Sequence, residues 1–270
     1  MTLSRLVRHV PIAIVGGGPS GLFLSNLLST YNTPSLLLEA RSPSQLFAHP
    51  QAHFLNTRTM EIIRHALPDL CSHVRQAMPP VEQRRYFNFG YSVAGEMARV
   101  VHPFDQPLDA NRDANGTLLP PDQTYADRTP TPTNPLSVCS VGHLAQHTFS
   151  KLLYESAMEL QLPESDILLE SPVVDIDYQD EDGVYKLTTE SGSTIYADIV
   201  VAADGSHSKI RQAWNIDWGK GQENMQHLIN VHVRTSSSIE PAAMLYAIYN
   251  DDCVAMMVRH SSDEYVLQIP

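Results

Sequence analysis

Short apolar runs and helical stripes alternate along this chain, and glycines often separate them. Residues 10–15 are apolar and β-prone and stop at Gly16-Gly17-Gly18. Leu22, Phe23, Leu24, Leu27 and Leu28 then recur at helical spacing, and Leu36-Leu37-Leu38 ends in Glu39. This switch of period predicts strand, glycine turn, helix, strand. Asn56 or Thr57 is placed to cap a helix through Met60, Ile62 and Ile63, with Pro68 marking its end or a restart.

Residues 86–101 predict one or two strands around a glycine turn. Residues 143–160 predict a helix with Leu144, Phe149, Leu152, Leu153 and Met158 as its buried stripe. Short strands are expected at 167–169, 173–178 and 184–189, with Glu181-Asp182-Gly183 as a hairpin turn. Residues 198–203 predict a buried strand running into Asp204-Gly205. The last part holds strands at 228–233, 244–249, 253–259 and 265–269, spaced like an antiparallel meander. The stretch 103–135 is rich in Pro, Asp, Asn and Thr and lacks a period, so it is either a functional loop, such as a lid, or disordered.

Composition narrows the classes. A chain of 270 residues can bury a sizeable core in one large domain or two small ones. Eighteen Lys and Arg against 30 Asp and Glu give a net charge of −12, which argues against a nucleic-acid partner because phosphate contact needs a basic face. An anionic cofactor stays compatible with this charge, since backbone N–H groups at a helix start hold a pyrophosphate without net positive charge. Cys71, Cys139 and Cys253 are far apart and odd in number, with no zinc or disulfide spacing. That favours a reducing, cytoplasmic setting. Arg5 and Arg8 without an acid among the first ten residues leave a mitochondrial leader as the alternative. No run of about 18 apolar residues predicts a membrane span. None of the twelve histidines lies in an HxxxH or HxH pair with acids at ligand spacing, so no metal is expected.

Two motifs carry chemistry. In Gly16-x-Gly18-x-x-Gly21 the first glycine permits the tight turn, the second lets a pyrophosphate approach the backbone, and the third lets the helix pack against the sheet. Glu39 lies 23 residues beyond Gly16, where an acid accepts hydrogen bonds from a ribose lacking a 2′-phosphate. The second motif, Asp204-Gly205-Ser206-His207-Ser208-Lys209-Ile210-Arg211, follows a strand and starts a helix. It suits a ribose or phosphate ligand, or is an ordinary helix cap.

Together these segments resemble the FAD-dependent aromatic-ring hydroxylases, the group around para-hydroxybenzoate hydroxylase and phenol 2-monooxygenase, over nearly the whole chain. The stretch from His49 through Gln51, His53, Asn56 and Arg58 to Ile62 looks like the segment after the second strand in phenol hydroxylases. The resemblance implies an α/β fold: a Rossmann-like FAD-binding domain with a partial antiparallel-sheet substrate domain. Residues 1–85 and 137–212 would form the first, and 86–136 with 213–270 the second. It further implies cofactor contacts from Gly16, Gly18, Pro19, Ser20, Gly21, Glu39, Ala40, Arg41, Gln51, Arg58, Gln146, Asp204, Gly205, Ser208 and Arg211. Gln51 stands where many members have an arginine on the FAD phosphates, and Ser150 where a glutamate is usual.

His53 falls where the phenol-hydroxylase subgroup places a residue near the phenol hydroxyl, so it is the catalytic candidate; a packing role in the flavin cleft is the alternative. The implied reaction is hydroxylation of a phenolic or related aromatic compound by O2 through a flavin hydroperoxide, with NADPH or NADH as transient electron donor. A homodimer is compatible with the family. The family's third FAD element, a Gly-Asp-Ala motif, does not occur in these residues. The expectation from this is a C-terminally incomplete chain that binds FAD poorly and hydroxylates little by itself. The competing functions are a non-catalytic FAD-binding remnant or interaction protein, and a flavin oxidase or dehydrogenase.

Overall fold

The computed structural model describes residues 7–84, 86–101, 139, 141–217, 219, 228–252 and 254–269. The chain divides into two compact units, one formed by Met1–His49 and Gln146–Gly221, the other by Pro50–Ala145 and Gln222–Pro270. Elements are numbered in chain order across both.

The first unit opens with β1 (Val7–Val15), α1 (Pro19–Thr30) and β2 (Ser35–Leu38), the expected strand–turn–helix–strand, with β1 and β2 parallel. It continues with α2 (Pro43–Leu46) and, after the crossing into the second unit and back, α6 (Gln146–Glu159), β7 (Asp166–Leu168), β8 (Val173–Gln179), β9 (Val184–Thr189), β10 (Thr194–Ala202) and α7 (Lys209–Ala213). The sheet order is β7-β2-β1-β10-β9-β8. Its parallel members β7, β2, β1 and β10 are joined by an antiparallel hairpin, β8 and β9. Val10, Ala13, Val15, Leu36, Leu38, Leu187, Ile195 and Ala197 pack as its core. β2 is buried at every position, which is why Leu36-Leu37-Leu38 has no polar alternation. The turn at Gly183 has φ +68°, matching the hairpin signal.

Three expectations are corrected here. Strand β10 begins at Thr194, earlier than expected, and Ile199 in it is 53% exposed, so it is not buried throughout. Helix α6 starts at Gln146, its buried face is Phe149, Ser150, Leu153 and Ala157, and Met158 is exposed. Of the apolar residues of α1 only Leu22 is fully buried; Phe23, Leu24, Leu27 and Leu28 are half-buried, and the rest of the buried face is Gly21, Ser25, Asn26 and Ser29. Small residues on that face allow close helix approach. Asn26 supplies the reason for the polarity, since its Nδ2 donates to the carbonyls of Leu22 at 2.8 Å and Leu153 at 2.9 Å. Its Oδ1 accepts from Ser156 Oγ at 2.7 Å. Every polar atom of this buried amide is partnered, and the partners lock α1 to α6.

The second unit contains β3 (Phe54–Leu55), α3 (Thr57–Ala66), α4 (Pro68–Ala77), α5 (Val81–Arg84), β4 (Tyr86–Gly90), β5 (Met97–Val101) and β6 (Gly142–His143). Beyond them come β11 (Ile229–Arg234), β12 (Leu245–Tyr249), β13 (Val254–Arg259) and β14 (Glu264–Ile269). Asn56 caps α3, its side chain accepting from Thr59 N at 2.8 Å, and Pro68 restarts the chain as α4. The sheet runs β11-β14-β13-β12-β4-β5. The meander therefore holds for β12, β13 and β14, whereas β11 pairs with β14 and β12 lies parallel to β4. Pairings between distant segments set this order, and they leave no trace in local spacing.

His143 belongs to β6 and not to a helix, and β6 pairs antiparallel with β3. This pairing, together with α3 and α4, groups 50–85 and 137–145 with the sheet of the second unit. Family resemblance had suggested 1–85 and 137–212 as one domain, so compactness and resemblance draw the boundary differently. The stretch 103–135, proposed as a lid, and Cys253 lie outside the described residues.

Candidate functional site

In the first unit, two motifs far apart in sequence end up side by side. Val15 pairs with Ala202 across β1 and β10, and Ala203 N donates to Val15 O at 2.8 Å. Gly16 N in turn donates to Leu38 O at 2.8 Å. The glycine turn, Asp204-Gly205 and Glu39 therefore cluster at the carboxyl ends of three adjacent parallel strands. In open α/β sheets this is where ligands bind.

The glycines are needed by geometry. Gly16 has φ +111°, and a β-carbon on it would lie 2.3 Å from Ala203 O. A β-carbon at Gly21 would lie 1.9 Å from Gly16 O. Gly18, the N-cap of α1, differs, since a β-carbon there meets nothing within 4 Å and so points into open space. Pro19 follows at the first helical position, where its missing N–H costs nothing. The first turn of α1 has no acidic residue, so its positive end is available to an anion.

Glu39 is buried, 3% exposed. Its Oε2 accepts from Gly17 N at 2.5 Å and from Arg41 Nη2 at 3.4 Å; its Oε1 accepts from Arg41 N and Nε, each at 2.8 Å. Burial works against its charge, but the Arg41 guanidinium and the backbone N–H groups of Arg41 and Gly17 outweigh it and hold the carboxyl below its ordinary range. The sequence placed a ribose on this acid, and the geometry adds that Arg41 already occupies it. Arg41 is 42% exposed along its side chain and so has room to turn away. Ala40 beside it is exposed.

Asp204 Oδ2 caps α7, accepting from Lys209 N at 2.8 Å. Its Oδ1 is buried and has no hydrogen-bond partner, an acceptor waiting for a donor. Gly205 has φ +87° and is exposed. Ser208 is buried as the N-cap of α7, its Oγ accepting from Arg211 N at 3.0 Å, while Arg211 Nη1 donates to Ile216 O at 2.8 Å. Gln146 is the first residue of α6. Ser20 is exposed on α1.

The other predicted residues lie in the second unit. Gln51 is exposed before β3. Arg58 is 80% exposed along its side chain and pairs at 3.7 Å with Glu61 one turn on, an arrangement of an ordinary helix surface. His53 is half-buried, and its carbonyl accepts from Leu144 N at 2.8 Å. Its ring lies edge-on to His143, with centroids 5.0 Å apart at 72°, and edge-on to His260 at 5.8 Å and 84°. His143 is 2% and His260 9% exposed. Neither is visible as functional in the sequence, because no spacing rule connects the ends of β6 and β13 to residue 53. Burial foremost, then the neighbouring charge of His53, pushes His143 well below the usual imidazole range. Among the described residues, no group of three or more His, Cys, Asp or Glu is arranged to hold a metal ion.

A glycine turn opening a helix, an acid ending the next strand and an Asp-Gly turn on the neighbouring strand define a dinucleotide-binding fold. The chain belongs to the FAD-binding-domain family, whose model matches residues 9–270. No curated protein sequence matches it. Among solved structures, the flavin-dependent monooxygenase PieE in complex with FAD and substrate is similar at a TM-score of 0.74 and 20% identity, over 97% of this chain and 42% of that one. Aklavinone-11 hydroxylase in its complex with FAD and aklavinone gives 0.72 and 21%, over 96% and 45%. The p-nitrophenol 4-monooxygenase PnpA from Pseudomonas putida DLL-E4 gives 0.72 and 19%, over 98% and 58%. The fold is thus that of the flavoprotein monooxygenases, and the chain spans 42% to 58% of the length of these three proteins. No helix of the described residues is long and apolar enough to cross a membrane.

Proposed function

We propose that this chain binds FAD and serves a monooxygenase that hydroxylates a phenolic or related aromatic compound, with NADPH or NADH as electron donor. The observation that carries the reading is the convergence of Gly16–Gly21, Glu39 and Asp204-Gly205 at three adjacent strand ends. The residues present fit the cofactor. Open space at Gly18 and the unopposed start of α1 suit a pyrophosphate. The buried, unpartnered Asp204 Oδ1 suits a sugar hydroxyl as donor, and Glu39 suits the adenosine ribose once Arg41 turns away. Gln51, Arg58, Gln146 and Arg211 are assigned to the cofactor by the family resemblance.

FAD, when bound, supplies electron transfer and oxygen activation, chemistry that no side chain offers. The chain's own residues hold the cofactor and prepare the substrate. His53 accepts the proton of the phenol: the O–H bond breaks, the proton joins a ring nitrogen, and the electron pair stays on the oxygen. That enriches the ring carbon beside it for attack on an electrophilic oxygen. The named activities of PnpA and aklavinone-11 hydroxylase favour an aromatic substrate.

The test has two arms. Titration of the purified protein with FAD should give a bound-flavin spectrum, and Glu39→Ala should weaken binding at least about tenfold. Phenol-dependent oxidation of NADPH or NADH, with one atom from labelled O2 entering the product, is the activity expected of the monooxygenase this chain serves, and little of it is expected from the chain by itself. Flavin reduction with no oxygen incorporated would show a dehydrogenase instead.

A further inference from the structure

We propose that His53, His143 and His260 form one proton-holding cluster, in which His143 is a neutral positioning residue and His53 and His260 share a single proton drawn from the substrate hydroxyl. The origin of that proton rests on the phenol reading above; the cluster itself does not.

The tautomer of His143 follows from its partner. Its Nε2 lies against the backbone carbonyl of Arg259, and a carbonyl only accepts, so Nε2 carries the hydrogen. Its Nδ1 is then bare, and it is buried with no hydrogen-bond partner. A proton there would create an imidazolium in an interior site already faced by three groups that carry or can take positive charge: His53 from the segment before β3, His260 from the end of β13, and the Arg84 guanidinium from α5. Arg84 is itself anchored, Nη1 donating to Val141 O at 2.9 Å. His143 therefore stays neutral and acts through packing, its ring edge-on to His53.

That leaves two rings for protons. Their centroids are 5.8 Å apart, and His143 lies 6.3 Å from His260. Two unit charges at such a separation, in an effective dielectric of about 20, lower the affinity for the second proton about a hundredfold. One proton is held, on His53 or on His260, never readily on both. The backbone at His260 is fixed, its main-chain N–H donating to the main-chain carbonyl of Glu264 at 2.8 Å. In the reaction the substrate O–H bond breaks, an N–H bond forms on His53, and the proton leaves to water from the cluster as the phenolate is consumed. The three rings are not a metal site, given the arrangement described above.

The experiment is a histidine side-chain NMR titration of the whole protein between about pH 5 and 9, with assignments from His53→Gln and His260→Gln. His143 should keep its Nε2–H signature throughout. Removing either His53 or His260 should raise the titration midpoint of the other by about one to two pH units. In His143→Gln, which keeps a donor for the Arg259 carbonyl, the His53 ring should lose its fixed edge-on orientation, read as a change in its ring chemical shifts, while melting temperature is retained. An ordinary titration of His143, or a His53 midpoint indifferent to His260→Gln, overturns the cluster. 4-Nitrophenol then probes the proton's origin: added to wild type it should show the phenolate absorbance below its solution midpoint, and His53→Gln should abolish this. Coupled histidines without a phenolate signal would keep the cluster and overturn both the substrate half and the phenol reading.

Discussion

A β-carbon at Gly21 would stand 1.9 Å from the Gly16 carbonyl oxygen, so Gly21→Ala must push α1 away from the glycine turn. We expect a loss of about 2–3 kcal/mol in urea unfolding and at least tenfold weaker ADP binding by calorimetry. Two buried ionisable residues add a pH dependence of known sign. The folded-state pKa of Glu39 is lowered from 4.5, so its charged form contributes stability above that pH, and the contribution fades as pH falls through the folded value. Glu39→Gln should flatten the acid limb of a stability–pH curve. His143 is held neutral when folded, below its ordinary 6.5, whereas the unfolded chain takes a proton there. Stability is therefore full above about pH 6.5 and falls below it by up to about 1.4 kcal/mol per pH unit. His143→Gln should remove that slope, and unfolding at pH 5.5 against 7.5 would show it.

Among the elements, α1 teaches the most about reading this sequence. Its leucines suggest a greasy stripe, yet the face it buries is Leu22, Ser25, Asn26 and Ser29. Hydrogen bonds explain this, because Asn26 bridges α1 to Leu153 and Ser156 of α6. Asn26→Ala removes three hydrogen bonds of a buried side chain, to the carbonyls of Leu22 and Leu153 and from the hydroxyl of Ser156, and should cost about 2–3 kcal/mol, measured by chemical denaturation. Asn56→Ala, which uncaps α3, should cost only about 1 kcal/mol because water can replace an exposed cap. The strand elements were legible where the chain alternates or runs apolar, as at β9 and β13. The helix expected from His143 was not, because Gly142 and His143 are recruited into pairing with β3 from a segment about ninety residues away.

For the molecule as a whole, cofactor binding should be readable as stability. Ligand at about a hundred times its dissociation constant stabilises by about 2.7 kcal/mol, so saturating FAD should raise the melting temperature of wild type and do little for Glu39→Ala. The first unit by itself carries the glycine turn, Glu39, Gln146 and Asp204, and the second carries Gln51, His53 and Arg58.

From its sequence alone this protein declares a dinucleotide fold. Glycines at 16, 18 and 21 and an acid at 39 are demanded by backbone geometry and ribose chemistry, and such demands are local, so they survive in the linear text. Tertiary structure decided what those residues touch. It set the glycine turn beside Asp204, filled Glu39 with Arg41, and left Asp204 Oδ1 bare. It also gathered His53, His143 and His260 into one cluster. Apart from the Glu39–Arg41 pair, which is local, those relations arise from strand pairing across long separations, and no local period encodes which distant strand a segment will meet.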